Sequence, residues 1–169
     1  MHNTNDETPE IPPFVNLSWE EIERAVDSIV VRIAADGFVP DCIVGIAVGV
    51  LVPLGLIAKR LNDKNTLTIT ASSYDGRQQR EIVVSNLPDA KLDGLKILLV
   101  DDIGDRGDTL RKVTRIFIER YRVGELKSAT IAMNRGHCSY HPDYFGIAVN
   151  EWVNFPWEMA EAPPPLLYL

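Results

Sequence analysis

Four carboxylates lie close together in the segment ILLVDDIGDRGDTL, residues 97–110. A run of aliphatic residues leads directly into Asp101 and Asp102, and Asp105 and Asp108 follow shortly after them. Acidic groups this close repel each other unless a cation or hydrogen-bond donors compensate. Carboxylate oxygens can accept hydrogen bonds from hydroxyl groups or bind Mg²⁺. The segment therefore predicts a ligand site with carboxylates at its centre.

Two glycines and a helix start make the same segment a candidate phosphate site. Gly104 and Gly107 allow a tight turn whose backbone N–H groups point outward. The helix predicted to begin near Asp108 or Thr109 adds the positive end of its dipole, which favours bound anions. A phosphate turn beside two carboxylates suits a sugar phosphate. The alternative is that these residues only cap the helix, and the adjacent aspartates argue against it.

Helical patterns and strand patterns alternate along the chain. Residues 18–37 predict the first helix, because Ser18 and Glu21 form a capping-box pattern and Gly37 can end it. A second helix is predicted over 51–61, and a third follows the acidic segment. Strands are predicted at 41–47, 66–74, 81–87, 96–100, 128–134 and 145–153. The alternation predicts an α/β fold with a mostly parallel central sheet flanked by helices.

Ligands of open parallel sheets bind at the carboxyl ends of the strands. Three predicted strand ends carry unusual residues: 48–50 (VGV), 101–109 and 134–136 (NRG). The polar stretch 75–80 (DGRQQR) joins two predicted strands and should form a mobile tip. We expect one domain over residues 14–169, preceded by a flexible leader at residues 1–13.

Composition excludes several classes of partner. A net charge of −7 argues against a broad nucleic-acid surface, and no apolar run approaches the ~20 residues that span a bilayer. The polar, acidic leader resembles neither a secretory signal nor a transit peptide, so we expect a cytoplasmic protein without a membrane partner. His137, Cys138 and His141 have a spacing that a zinc site could use, but a solvated turn is the commoner outcome without a fourth ligand.

The segment VDDIGDRGDTL resembles the phosphoribosyl-pyrophosphate (PRPP) signature of the type I phosphoribosyltransferases, in which a hydrophobic strand leads into two acids and an Asp-Thr-Gly-x-Thr turn. The stretches DCIVGIAVGVLVPLGLIAKRL, SSYDGRQQREIVV and EWVNFPWE resemble the small bacterial and archaeal purine branch, the xanthine-guanine and hypoxanthine phosphoribosyltransferases. The resemblance runs from about Trp19 to Glu158.

This resemblance implies a fold and a reaction. The fold would be the type I phosphoribosyltransferase fold, with a small base-binding hood from the C-terminal part. The reaction would be attack of a purine ring nitrogen on C1 of PRPP, giving a nucleoside 5′-monophosphate and pyrophosphate, with Mg²⁺ as cofactor. Relatives commonly form dimers or tetramers, so the resemblance also implies a homo-oligomer.

The resemblance further assigns roles to residues. Asp101 and Asp102 would bind the ribose hydroxyls and Mg²⁺, and Asp105 would take the proton from N7 of the base. The residues that would hold the phosphates of PRPP are Val48, Gly49, Gly104, Arg106, Gly107, Asp108 and Thr109. The residues that would form a lid are Ser72, Ser73, Tyr74, Arg77 and Arg80. The residues that would contact the base are Asn134, Arg135, Trp152 and Val153.

Five positions depart from the family pattern, and one of them is Val50, which replaces a glycine of the pyrophosphate loop. Val48 stands where relatives usually carry the arginine that grips pyrophosphate, and Arg106 replaces a threonine. Asp108 adds negative charge beside the phosphate turn, and Asn134 stands where 6-oxopurine enzymes carry a lysine. Three functions stay open: a purine phosphoribosyltransferase, a degenerate relative that binds a nucleotide or sugar phosphate for regulation, and a nucleotide N-glycosidase or non-purine transferase.

Overall fold

A six-stranded sheet forms the centre of the fold in a computed structural model that describes residues 14–75 and 80–158. Its strands, in spatial order, are β4 (Arg80–Ser85), β3 (Thr66–Asp75), β2 (Cys42–Ala47), β5 (Lys96–Gly104), β6 (Glu125–Asn134) and β7 (Tyr144–Val149). Neighbouring strands are parallel except β3 and β4, which form an antiparallel hairpin. A second, two-stranded parallel sheet pairs β1 (Phe14–Asn16) with β8 (Trp152–Asn154).

Helices cover both faces of the central sheet. Helices α1 (Trp19–Ala35) and α2 (Leu51–Leu61) pack on one face, and α3 (Asp108–Glu119) packs on the other. Successive residues of β5 alternate between the two cores: Leu98 belongs to the core under α1 and Leu99 to the core under α3. The predicted α/β architecture is therefore confirmed.

The first helix begins as its sequence predicts. The Ser18 hydroxyl accepts a hydrogen bond from the Glu21 N–H at 3.3 Å, and the Glu21 carboxylate accepts one from the Ser18 N–H at 2.8 Å. This reciprocal pair satisfies two N–H groups that would otherwise lack partners at the helix start. The capping box is thus confirmed.

Several predicted strand boundaries were wrong, and two of them change where site residues lie. The strand predicted over 145–153 is two strands, β7 and β8, which belong to different sheets and are separated by the exposed residues Asn150 and Glu151. Strand β5 does not end at Val100 but continues to Gly104, because its parallel pairing with β6 extends past the aspartates. The two aspartates are therefore strand residues, held by the sheet ladder.

The leader at residues 1–13 and residues 159–169 lie outside the described residues. Among the helices that are described, none is long and apolar enough to cross a membrane.

Candidate functional site

A cavity of about 1220 Å³ opens at the carboxyl ends of β2 and β5, between the β3–β4 hairpin and α3. Nine residues that the sequence assigned to the site line it together: Val48, Gly49, Asp101, Asp102, Asp105, Arg106, Gly107, Asp108 and Thr109. They come from the end of β5, the loop before α3, the first turn of α3 and the loop after β2. The fold thus brings two distant sequence segments to one edge of the sheet.

The two adjacent aspartates are partly buried at the base of this cavity. The Asp101 Oδ1 accepts a hydrogen bond from the Asp102 N–H at 3.0 Å, and the Asp102 Oδ1 accepts one from the Ile103 N–H at 2.7 Å. Burial raises the pKa of Asp102 to about 6, and the charge of Glu158 adds to this rise. Burial, then the neighbouring Asp102 charge, raises the pKa of Asp101 well above its usual value. Two crowded carboxylates of this kind gain from a cation or from hydroxyl donors.

The loop after β2 lies directly against Asp102. A Cβ built on Gly49 would stand 1.9 Å from the Asp102 Oδ2, so any side chain at position 49 collides with that carboxylate. Val48, next to it, is 74% exposed, and the peptide that joins Ala47 to Val48 is cis. The backbone of this loop and the Asp102 carboxylate therefore face the same part of the cavity. The side chain at position 48 is valine, so it brings no positive charge to this loop.

Glycine, not aspartate, precedes the first turn of α3. Gly107 is the N-cap residue with φ of 81°, so the cap position has no side chain that could accept a hydrogen bond from the first-turn N–H groups. The proposal that the aspartates merely cap the helix therefore does not describe this turn. The first-turn N–H groups and the positive end of the helix dipole make the turn suited to an anion.

Residues 135–143, the loop between β6 and β7, contact the phosphate turn and support it. The N–H and hydroxyl of Ser139 donate to the Arg106 carbonyl at 3.0 and 3.1 Å, and Arg111 donates to the Ser139 hydroxyl at 2.7 Å. A Cβ on Gly107 would stand 2.4 Å from the Tyr140 carbonyl oxygen, so the two loops are in close contact. Sequence reasoning missed this role, although the loop follows a predicted strand end.

The three possible zinc ligands of this loop, His137, Cys138 and His141, each contact a different oxygen atom. The His141 Nε2 lies 2.8 Å from the Cys138 carbonyl oxygen, and the Cys138 thiol donates to the Tyr140 carbonyl at 3.2 Å. The His137 Nδ1 lies 3.9 Å from the Asp105 Oδ1. Within residues 14–75 and 80–158, no group of three or more His, Cys, Asp or Glu side chains is placed to hold a metal ion.

The residues that the sequence assigned to the base lie outside the lining of this cavity. Asn134 is buried, and its Oδ1 accepts hydrogen bonds from the N–H groups of Gly136 at 3.0 Å and His137 at 3.1 Å. Arg135 is exposed, Trp152 is 62% exposed, and Val153 is buried in the core. The Asn134 side-chain oxygen is thus occupied by its own loop.

The β3–β4 hairpin, which the sequence predicted as a lid, forms one wall of the cavity. Glu81 and Ile82 of β4 line it, although the sequence did not single them out. Lys112 of α3 donates to the Ile82 carbonyl and so joins the hairpin to the helix. Of the predicted lid residues, Ser72 is exposed on β3, only the backbone of Ser73, Tyr74 and Arg80 is described, and Arg77 lies outside the described residues.

The family model for the phosphoribosyl transferase domain matches residues 17–163 of the chain. The chain belongs to this family. It is similar to the xanthine-guanine phosphoribosyltransferase of Ruegeria sp. (strain TM1040), with 32% identity over 158 residues that cover 86% of this chain and 85% of the relative. The enzyme of the same name from Cereibacter sphaeroides (strain ATCC 17025 / ATH 2.4.3) is 32% identical over 153 residues, covering 86% of this chain and 87% of that one.

Solved structures of the family share this fold. The purine phosphoribosyltransferase from Pyrococcus horikoshii Ot3 superimposes with a TM-score of 0.76 at 29% identity, covering 86% of this chain and 94% of that one. The xanthine-guanine-hypoxanthine phosphoribosyltransferase of Helicobacter pylori has a TM-score of 0.77 at 26% identity, with the same coverage. The predicted family and the predicted fold are confirmed, and with them the class of glycosyltransferase, the pentosyltransferases.

Proposed function

We propose that the protein transfers the phosphoribosyl group of PRPP to a purine base, with Mg²⁺, to form a nucleoside 5′-monophosphate and pyrophosphate. The observation that supports this most strongly is the shared cavity, in which paired carboxylates, an uncapped helix start and the loop after β2 face one another. These are the three groups that a ribose carrying a phosphate at one end and a pyrophosphate at the other requires.

The charges of the cavity are compatible with a bound cation. Among the described residues, its lining contains four cationic side chains and six carboxylates: Arg106, Arg111, Lys112 and Arg115 against Glu81, Asp101, Asp102, Asp105, Asp108 and Glu119. This excess of acids would repel an anionic sugar phosphate unless a cation entered with it. Asp101 and Asp102 would hold Mg²⁺, which prefers carboxylate oxygen and substrate phosphate. The chemistry that bound Mg²⁺ supplies is neutralisation of charge on the pyrophosphate leaving group.

Residues of the chain itself would bind the substrate, accept the proton and exclude water. Asp101 and Asp102 would accept hydrogen bonds from the ribose hydroxyls. Residues 104–109, the end of β5 and the turn that leads into α3, would bind the 5′-phosphate through their N–H groups. Asp105 would take the proton released from N7 as the new bond forms. The β3–β4 hairpin would keep water out while the cationic ribose centre exists. The positive charge on the reacting ribose carbon would develop only in the transition state. Correct positioning of the groups around that carbon would therefore supply most of the rate enhancement.

The base would bind at the rim of the cavity. Trp152 is largely exposed on β8, next to β1, so a purine could stack on its ring without displacing the core. The two-stranded sheet of β1 and β8 would then serve as the base-binding hood. The exposed Arg135 and the Nδ2 of Asn134 would be the donors to the ring edge, because the atom of Asn134 that its own loop uses is Oδ1, an acceptor.

A second function, the binding of a nucleotide or sugar phosphate for regulation, is favoured by Val48. Its exposed isopropyl group replaces a charge-assisted contact to phosphate that is worth roughly 1.5–3 kcal/mol, or tenfold or more in affinity. A protein with this loop could retain ligand binding while its turnover is slow. The cavity itself is compatible with either function.

Incubation with PRPP and Mg²⁺ together with guanine, xanthine, hypoxanthine or adenine in turn tests the proposal. We expect nucleotide and pyrophosphate with at least one base, and none in an Asp101→Asn/Asp102→Asn variant. No turnover with any base, together with PRPP binding seen by calorimetry, would favour the regulatory function. Release of free base from a nucleotide in water would favour the N-glycosidase. We also propose that the protein is cytoplasmic and forms a homo-oligomer, either a dimer or a tetramer. Analytical ultracentrifugation measures the number of subunits.

A further inference from the structure

His137 approaches the carboxylate to which the proposed reaction assigns the proton of the base. Its Nδ1 lies 3.9 Å from the Asp105 Oδ1. Among the ion pairs formed by residues 14–75 and 80–158, this is the one that includes Asp105. The nearby Arg111 instead pairs with Asp108 at 3.9 Å and donates to Ser139. His137 is therefore the basic side chain paired with Asp105.

The position of His137 is built into the loop between β6 and β7. The Asn134 Oδ1 accepts the His137 N–H at 3.1 Å, and the Asn134 carbonyl accepts the Cys138 N–H at 3.1 Å, so both sides of His137 are fixed. Ser139 then joins this loop to the phosphate turn through the Arg106 carbonyl. Because Arg106 follows Asp105 directly, the same bonds that fix the loop fix the distance between His137 and Asp105.

The two side chains also link the cavity with solvent. Asp105 lines the cavity and its side chain is 35% exposed, whereas the His137 side chain is 68% exposed. Histidine is the side chain that gains and loses a proton between about pH 5 and 8, so it can receive a proton on one ring nitrogen and release one from the other. The arrangement runs from the reacting site, through a carboxylate, to an imidazole in water.

We propose that His137 is a positioning residue that acts through Asp105, holding that carboxylate toward the base and carrying the proton of the base to solvent. This inference rests on the proposed transferase function. The proton bound to N7 moves to an Asp105 oxygen, then through one water molecule to the His137 Nδ1, while the Nε2 proton leaves to solvent. The nucleotide and pyrophosphate are the other products. Asp105 is again a carboxylate, and exchange of the two ring protons with water returns His137 to its starting tautomer.

Other charged groups surround this pair and bear on its pH dependence. Arg135 precedes His137 on the same loop, Arg106 and Asp108 belong to the phosphate turn, and Arg111 projects from α3. His141 lies on the same loop but bonds to the Cys138 carbonyl, so it provides a matched control. A change that removes histidine at 137 but not at 141 isolates the contact to Asp105.

The kinetic test compares H137Q with H141Q. We expect kcat to fall roughly tenfold in H137Q, with KM for PRPP unchanged, while H141Q stays close to the parent protein. Added imidazole should restore much of the lost rate in H137Q, because a free imidazole can take the proton from Asp105. Equal losses in both variants, or a loss that imidazole does not restore, would assign the loop a structural role and overturn the proposal.

A second readout needs no turnover. In D105N, the ring-nitrogen NMR resonances of His137 should move while those of His141 stay in place, because only His137 faces Asp105. Unmoved His137 resonances would overturn the contact. Different results would contradict the two proposals. A parent protein that transfers the phosphoribosyl group to no base would contradict both the transferase function and the proton transfer through His137. Normal transfer by H137Q would contradict the role of His137 alone.

Discussion

Gly49 is the residue at which the loop after β2 and the Asp102 carboxylate are most closely coupled. A Cβ at position 49 would lie 1.9 Å from the Asp102 Oδ2, whereas real Cβ atoms essentially never approach within 3.0 Å of another atom. In Gly49→Ala, the carboxylate must therefore move by more than about 1 Å, which breaks or weakens its 2.7 Å hydrogen bond from the Ile103 N–H.

The size of the effect follows from these contacts. Overpacking of this kind costs about 1–3 kcal/mol of unfolding free energy. In an Asp102→Ala background the two closest atoms, Oδ2 and Cγ, are removed, and the next one, the Cβ of residue 102, is 3.8 Å from the new methyl group, which is ordinary van der Waals contact. There Gly49→Ala should be neutral or should stabilise by up to about 1 kcal/mol, since alanine restricts the unfolded chain. We therefore expect a coupling energy of about 2 kcal/mol.

Urea unfolding of the parent, both single variants and the double variant measures this coupling. Gly55→Ala is the matched control, because a Cβ at that exposed position of α2 has no neighbour within 4 Å. It should stabilise the protein by about 0.5–1 kcal/mol. Equal costs of Gly49→Ala in the parent protein and in the Asp102→Ala background would refute the reasoning, because the carboxylate would then not be the group that excludes a side chain.

Further predictions concern charge, affinity and backbone. Burial raises the pKa of Asp102 to about 6 in the folded protein, so the same carboxyl loses its proton at a lower pH in the unfolded chain. The free energy of unfolding should therefore fall as the pH rises from about 4 to 6. Asp102→Asn should thus raise the free energy of unfolding by about 1–3 kcal/mol at about pH 7.5 and change it little near pH 4. Urea unfolding at both pH values measures this difference, and equal gains at the two pH values would contradict the prediction. Val48→Arg should tighten PRPP binding tenfold or more by calorimetry, and an unchanged affinity would mean that the pocket has been rebuilt around valine. Gly107→Ala should cost more than Gly94→Ala in thermal unfolding: both glycines have positive φ, but only position 107 would bring a Cβ against Tyr140. Similar losses would contradict the close contact.

Local signals in the sequence predicted much of the fold. Ser18 and Glu21 sit three residues apart, so their capping box depends on neighbours that the sequence shows directly. The glycine turn before α3 was equally visible, because Gly107 supplies the positive φ that the turn requires. Features of this kind need only a few consecutive residues.

Features that depend on distant pairing were not predictable. Strand β5 extends through Asp101 to Gly104 because β6 pairs alongside it, and the composition of β5 carries no sign of this. The attachment of Ser139 to Arg106 joins residues far apart in the chain. The hydrogen bonds that the Asn134 oxygen accepts from its own loop were likewise not visible in the sequence. Such contacts follow from tertiary packing rather than from local pattern.

The central claim is that the paired aspartates and the phosphate turn form a site that processes PRPP. Phosphorus NMR of PRPP with Mg²⁺ and a mixture of the four purine bases tests it most directly. The parent protein should convert each PRPP into one free pyrophosphate and one nucleoside 5′-monophosphate, and the Asp101→Asn/Asp102→Asn variant should leave PRPP intact. Unchanged PRPP with the parent protein, or equal conversion by the variant, would contradict the claim.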